Sequence, residues 1–334
     1  MRKLVLLVVC ALLALPVLAQ TQLNGAGATF PYPIYSKWFS EYSKSHSDVA
    51  INYQSIGSGG GIRQVTAGTV DFGASDMPMT DKQLQDSKVK ILNLPTVLGA
   101  VVPAYNIPGV SGEVKFTPEA LAGIFLGKIA RWNDKALTSV NPDISFPDKE
   151  IIVAHRSDGS GTTFIWTDYL SKVSPDWKSS VGADTSVKWP VGLGAKGNEG
   201  VSGLIRQMSG SIGYVELIYA VQNKIPYGSV KNSAGAFVKA SLESVTAAAA
   251  SAPKMPADFR VSITNSPGKD AYPISSFTWL LIPQQAKNPA NGKILADFLN
   301  WMVTEGQTMT TALAYAPLPD SVVAKEKEAI KLVK

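Results

Sequence analysis

The chain has 334 residues, 45% of them hydrophobic, which is more than one ordinary buried core requires. Its 31 Lys and Arg against 26 Asp and Glu give a formal charge of +5. The basic residues are scattered among acids rather than gathered in one run or on one face, which argues against nucleic-acid binding.

The first element along the chain is a leader. Arg2 and Lys3 precede the apolar run Leu4 to Leu15, followed by Pro16-Val17-Leu18-Ala19-Gln20. That run is about 12 residues, short of the roughly 20 that span a bilayer, so residues 1–19 read as a signal peptide cleaved after Ala19. Cys10, the only cysteine, lies inside it, and Val9 before it suits lipid attachment poorly. Beyond Ala19 there is no thiol for a disulfide, a zinc site or a nucleophile. Loss of Arg2 and Lys3 lowers the formal charge by two, from +5 to +3.

Strand-like and helix-like runs then alternate, the signature of α/β architecture with largely parallel strands. Val49 to Gln54 alternates as a strand, a helix begins at Ile62, and Val70 to Ser75 reads as a second strand. Ile151 to Ala154 suits a buried strand, and Phe164 to Val173 has apolar residues at helical spacing. Val97 to Tyr105 and Phe277 to Pro283 lack a polar face, as expected of strands crossing between two lobes or of plain core strands. As crossing strands they divide the chain into one lobe of residues 20–98 plus 275–334 and a second of 99–274. Ser241 to Pro256 reads as a surface helix and loop, and the basic stretch Lys325 to Lys334 as a solvated helix face.

Three times a run of Gly with Ser or Thr stands before an amphipathic helix: Gly25-Ala26-Gly27-Ala28-Thr29-Phe30-Pro31, Gly57-Ser58-Gly59-Gly60-Gly61, and Asp158-Gly159-Ser160-Gly161-Thr162. A helix N-terminus carries unpaired N–H groups and partial positive charge, so it attracts an anion. Glycine permits close approach, and a hydroxyl adds a donor. Each loop taken singly reads more readily as an ordinary helix cap. Arg156 adds a planar fork for an oxyanion, or pairs with Asp158, or does both.

Asp76 looks wrong beside an anion, yet it would discriminate between anions. Phosphate near neutral pH keeps a proton to offer a carboxylate, whereas sulfate does not. A buried acceptor left unpaired beside negative charge costs about 2 to 5 kcal/mol, roughly thirtyfold to a thousandfold in affinity. Asp76 is equally placed to cap the turn before Pro78.

At these residues the sequence resembles the phosphate-binding receptors of bacterial ABC phosphate transporters. The likeness extends to Asn52-Tyr53-Gln54, Val70-Asp71-Phe72-Gly73-Ala74-Ser75-Asp76, Trp189-Pro190-Val191-Gly192-Leu193-Gly194, Gly213-Tyr214-Val215-Glu216 and Leu318-Pro319-Asp320. The resemblance implies a type II periplasmic binding protein: two α/β lobes joined by two crossing strands, with inorganic phosphate in the cleft. It implies ligand contacts from Thr29, Phe30, Ser58, Asp76, Arg156, Ser160, Gly161 and Thr162, with Asp158 partnering Arg156. It also implies a periplasmic monomer without cofactor or metal that closes on phosphate and docks on permease subunits driven by separate ATPase subunits. His155, next to Arg156, departs from the family's usual basic or apolar residue there.

The rival reading is a hydrolase using Ser58 or Ser160. It lacks a G-x-S-x-G elbow, and its only histidines, His46 and His155, have no recognisable acid partner in sequence. Gly194-Ala195-Lys196-Gly197 is the nearest approach to an ATP-binding loop and does not match one. A related rival keeps the fold and binds sulfate or molybdate.

Overall fold

In the computed structural model, which describes residues 20–334, the strands pair into a mixed sheet of eight and a small sheet of three. The expected leader and its cleavage position lie outside the described residues. The strands are β1 (Thr21–Gly27), β2 (Val49–Ser55), β3 (Phe72–Ser75), β4 (Ile91–Asn106), β5 (Lys115–Phe116) and β6 (Ile152–Arg156). They continue with β7 (Leu193–Ala195), β8 (Ser211–Glu216), β9 (Ser229–Lys231), β10 (Phe237–Val238) and β11 (Ser275–Pro283). The large sheet has the order β2-β1-β3-β11-β4-β8-β6-β7, and the small one β10-β9-β5.

Two parallel groups flank an antiparallel middle. β1 runs parallel to β2 and β3, and β6 parallel to β7 and β8. Between them, β4 pairs with β11 through Ile91–Ala100 and with β8 through Val101–Asn106. One strand thus serves both halves of the sheet, and the apolar run from Val97 spans the changeover. Asn93 to Tyr105 and all of β11 are buried, which is why neither segment shows a polar face. The β4–β11 register shifts between Thr278 and Trp279, beside Pro95. Proline offers no N–H to a ladder, so the irregularity falls where the sequence removes a donor.

Helices cover both halves, giving the two-lobed α/β architecture of a type II periplasmic binding protein. Four of them begin just past the carboxyl ends of parallel strands: Tyr32–Ser45 after β1, Ser58–Ala67 after β2, Gly161–Val173 after β6, and Gly197–Gln207 after β7. Aromatic layers hold them to the sheet. Phe39 and Tyr42 pack on Phe298, and Phe39 also on Phe72, in one half. In the other, Tyr214 stacks with Trp166 and Trp189. Burial of each such ring contributes roughly 1.5 to 3 kcal/mol.

Local details depart from the sequence expectation. The second glycine loop is already helical from Ser58, four residues earlier than expected. A Cβ on Gly60 would lie 2.7 Å from Ile56, and one on Gly61 2.7 Å from the Gly27 backbone, so this helix packs closer to the strands than side chains permit. The C-terminal helix Asp320–Ile330 is not wholly a solvated face, because Glu326 is fully buried and neither carboxyl oxygen has a partner. The polar run Ser43 to Ser47 predicts an exposed loop at His46, yet His46 is half-buried, closing the C-terminus of the first helix and stacking on Tyr42.

Candidate anion site

All the sequence-predicted site residues lie at the carboxyl ends of the parallel strands, where open α/β sheets place their ligands. The loop after β1, the helix start after β2 and the turn after β3 bring Thr29, Phe30, Ser58 and Asp76 to one wall. The loop and helix start after β6 bring Arg156, Ser160, Gly161 and Thr162 to the other. Each of these side chains is buried, and none is more than 3% exposed.

Three tyrosines hold the Thr29 loop, Tyr53 and Tyr315 from its own side and Tyr219 from the helix after β8, across the cleft. Tyr53, Tyr219 and Tyr315 donate their hydroxyls to the carbonyl oxygens of Ala28, Thr29 and Phe30 at 2.8, 2.6 and 2.6 Å. In a trans peptide the next N–H points away from the carbonyl, so the Phe30 amide is turned away from Tyr219. The Ser58 hydroxyl accepts from Asp76 N at 3.1 Å and from Gly161 N at 3.0 Å. Asp76 receives the Thr278 hydroxyl on Oδ1 at 2.8 Å, while its buried Oδ2 has no partner. Burial pushes the Asp76 carboxyl up to about 7, with the Thr278 hydrogen bond, the Arg156 charge and Ser58 offsetting part of the rise.

The second wall supplies the cation. Arg156 grips Asp158 through Nε to Oδ1 at 2.8 Å and Nη2 to Oδ2 at 2.6 Å, and its Nη1 reaches Thr162 Oγ1 at 3.3 Å. Burial alone would raise the Asp158 carboxyl, but hydrogen bonds and charge from Arg156 outweigh it and hold the group below the usual carboxylate range. Both roles read for Arg156 are therefore geometrically compatible. Ser160 caps its helix, accepting from Thr163 N at 3.0 Å. His155 stacks on Trp189 and bonds to the Arg156 carbonyl, away from the walls.

The two walls touch. Gly59 N donates to Gly159 O at 2.9 Å, and Gly161 N reaches Ser58 across the cleft. A Cβ on Gly161 would lie 2.6 Å from Asp76 Oδ2, so only glycine fits between the carboxylate and its own helix. A fourth helix start, at Gly197, completes the set, and the sequence reading did not assign it. It has no side-chain cap of its own; Asp158 Oδ1 accepts from Gly197 N at 3.1 Å instead. With no Ser, Thr or Asp at the cap, the segment Gly194 to Gly197 gave no cap signal. Asn198 follows, fully buried, bridging Thr29 and Thr162.

Two lobes meeting at converging helix N-termini, with a paired arginine and the buried Asp76 carboxylate, define a binding protein for a small oxyanion. A family profile described as a PBP superfamily domain matches residues 18–305. The phosphate-binding protein PstS of Pasteurella multocida is 47% identical over 326 residues, 97% of this chain and 94% of that protein. That of Haemophilus influenzae is 48% identical over 315 residues, 94% of this chain and 93% of that protein. The chain belongs to this family of PstS phosphate-binding proteins. The solved phosphate-binding protein from Stenotrophomonas maltophilia shares the fold, with a TM-score of 0.72 at 19% identity over 92% of this chain and 94% of that one.

Proposed function

We propose that the chain is a receptor for inorganic phosphate, bound in the cleft and handed to an ABC transporter for import. The observation that carries this reading is Asp76, a buried carboxylate with an unpartnered oxygen, set among groups that otherwise donate. An anion that still carries a proton satisfies that oxygen; one without a proton leaves two acceptors facing each other.

In this reading Thr29, Phe30, Ser58, Asp76, Arg156, Ser160, Gly161 and Thr162 hold the phosphate, and Asp158 fixes the guanidinium. Residues 20–98 with 275–334 form one lobe and 99–274 the other, closing about β4 and β11. The phosphate-binding relatives support the ligand, and the resemblance supports permease subunits with separate ATPase subunits as partners. The leader supports a periplasmic location after loss of residues 1–19, and closure around a single anion needs only a monomer. The chain captures its ligand and does no chemistry on it.

Calorimetry with phosphate and sulfate at pH 8 tests the reading. Phosphate should bind tighter by roughly thirtyfold to a thousandfold, and Asp76→Asn, which can donate to sulfate, should narrow that gap. Equal affinities in the unaltered protein would sink the proposal. The pH dependence has a definite sign. Below about 7 the Asp76 carboxyl takes up a proton and becomes a donor, so sulfate affinity should rise roughly tenfold from pH 8 to pH 6. Asp76→Asn should show no such rise.

A further inference from the structure

Asn198 uses every hydrogen-bonding group it has. Its Nδ2 donates to Thr29 Oγ1 at 2.8 Å and to Thr162 Oγ1 at 3.1 Å, and its backbone N donates to Thr29 Oγ1 at 3.2 Å. Its Oδ1 accepts from Glu216 N at 2.9 Å, which fixes the orientation of the amide. Asn198 and Thr162 are fully buried, and Thr29 is 2% exposed.

The consequence falls on the two hydroxyls. A threonine hydroxyl has two lone pairs and one proton. Thr29 Oγ1 receives two N–H donors from Asn198; Thr162 Oγ1 receives one from Asn198 and one from Arg156 Nη1. Both oxygens are thus filled as acceptors, and among the described residues neither hydroxyl proton finds a protein acceptor. Each hydroxyl is left able only to donate.

We infer that Asn198 is a positioning residue that turns Thr29 and Thr162 into obligate donors toward the bound anion. The inference rests on the phosphate reading and deepens it. Thr29 stands on one wall, and Thr162 and Asn198 on the other, so the Thr29 half of this arrangement exists only when the walls meet. Lobe closure therefore sets the polarity of the Thr29 hydroxyl as well as enclosing the ligand.

A mutant cycle read by phosphate calorimetry tests this. Asn198→Ala alone should weaken phosphate binding roughly tenfold to a hundredfold. In a chain already carrying Thr29→Val and Thr162→Val, the same change should cost less than about threefold, because its targets are gone. Equal losses in both backgrounds would make Asn198 a mere brace between the walls and overturn the inference. Melting without phosphate checks the fold; if Asn198→Ala fails it, Asn198→Ser, which keeps a polar group there but lacks the forked amide, should show the same coupling. Failure of the unaltered protein to bind phosphate overturns the receptor reading and this inference together, whereas tight binding with additive losses overturns this inference alone.

Discussion

The two walls of the cleft solve different problems. The wall built after β1, β2 and β3 buries no cation, its Arg63 being exposed; it offers hydroxyls, amides and the Asp76 carboxylate, whose charge opposes an anion. The wall built after β6 and β7 holds Arg156, but that charge is already spent on Asp158. A site with little net charge of its own relies on directed donors for attraction and on one acceptor for selection. In the proposed site both walls would supply donors, while the charged donor and the selecting acceptor stand on opposite walls.

Three substitutions would break or sharpen that contrast. Arg156→Ala removes the fork and leaves the partly buried Asp158 with the Gly197 N–H but no cation, so phosphate affinity should fall by roughly a hundredfold or more in titrations. A loss below about tenfold would mean the second wall does not supply affinity. Gly159→Ala acts on the seam between walls, where the new Cβ would meet the Gly59 Cα at 3.2 Å. The backbone must yield by a few tenths of an ångström, so binding should weaken roughly threefold to tenfold while the ligand-free melting temperature stays unchanged. Scattering should report a lesser compaction on adding phosphate. Asp158→Asn should have the smallest effect, under about tenfold, because looser positioning of Arg156 is opposed by a more positive wall. Its signature is a steeper weakening with added salt, measured by titration at several ionic strengths.

Much of this was legible in the residues. Glycine with a hydroxyl before an apolar helical pattern located three of the four helix starts, although of the three hydroxyls only Ser160 caps its helix. Two apolar runs without a polar face located β4 and β11, because strands covered on both sides need none. The fourth helix start was not legible. Its cap is Asp158, 39 residues away in sequence, and no local pattern encodes a partner supplied by folding. Tyr219, Tyr315 and Asn198 were missed for the same reason. A tyrosine that orients a loop carbonyl looks, in sequence, like any other core aromatic, and the Tyr219 and Tyr315 bonds span 190 and 285 residues. The buried Glu326 was missed because its neighbours in sequence are polar, and the packing that covers it comes from elsewhere.

The shared strand β4 has a bearing on folding. Its first ten residues pair in one half of the large sheet and its last six in the other, with no loop between them to act as a fuse. Each half of the sheet ends on its own stretch of β4, and Asn93 to Tyr105 is buried throughout, so loss of the strand would expose apolar faces in both halves at once. A strand proposed as a hinge between two bodies is thus also a covalent and hydrogen-bonded tie that couples their unfolding.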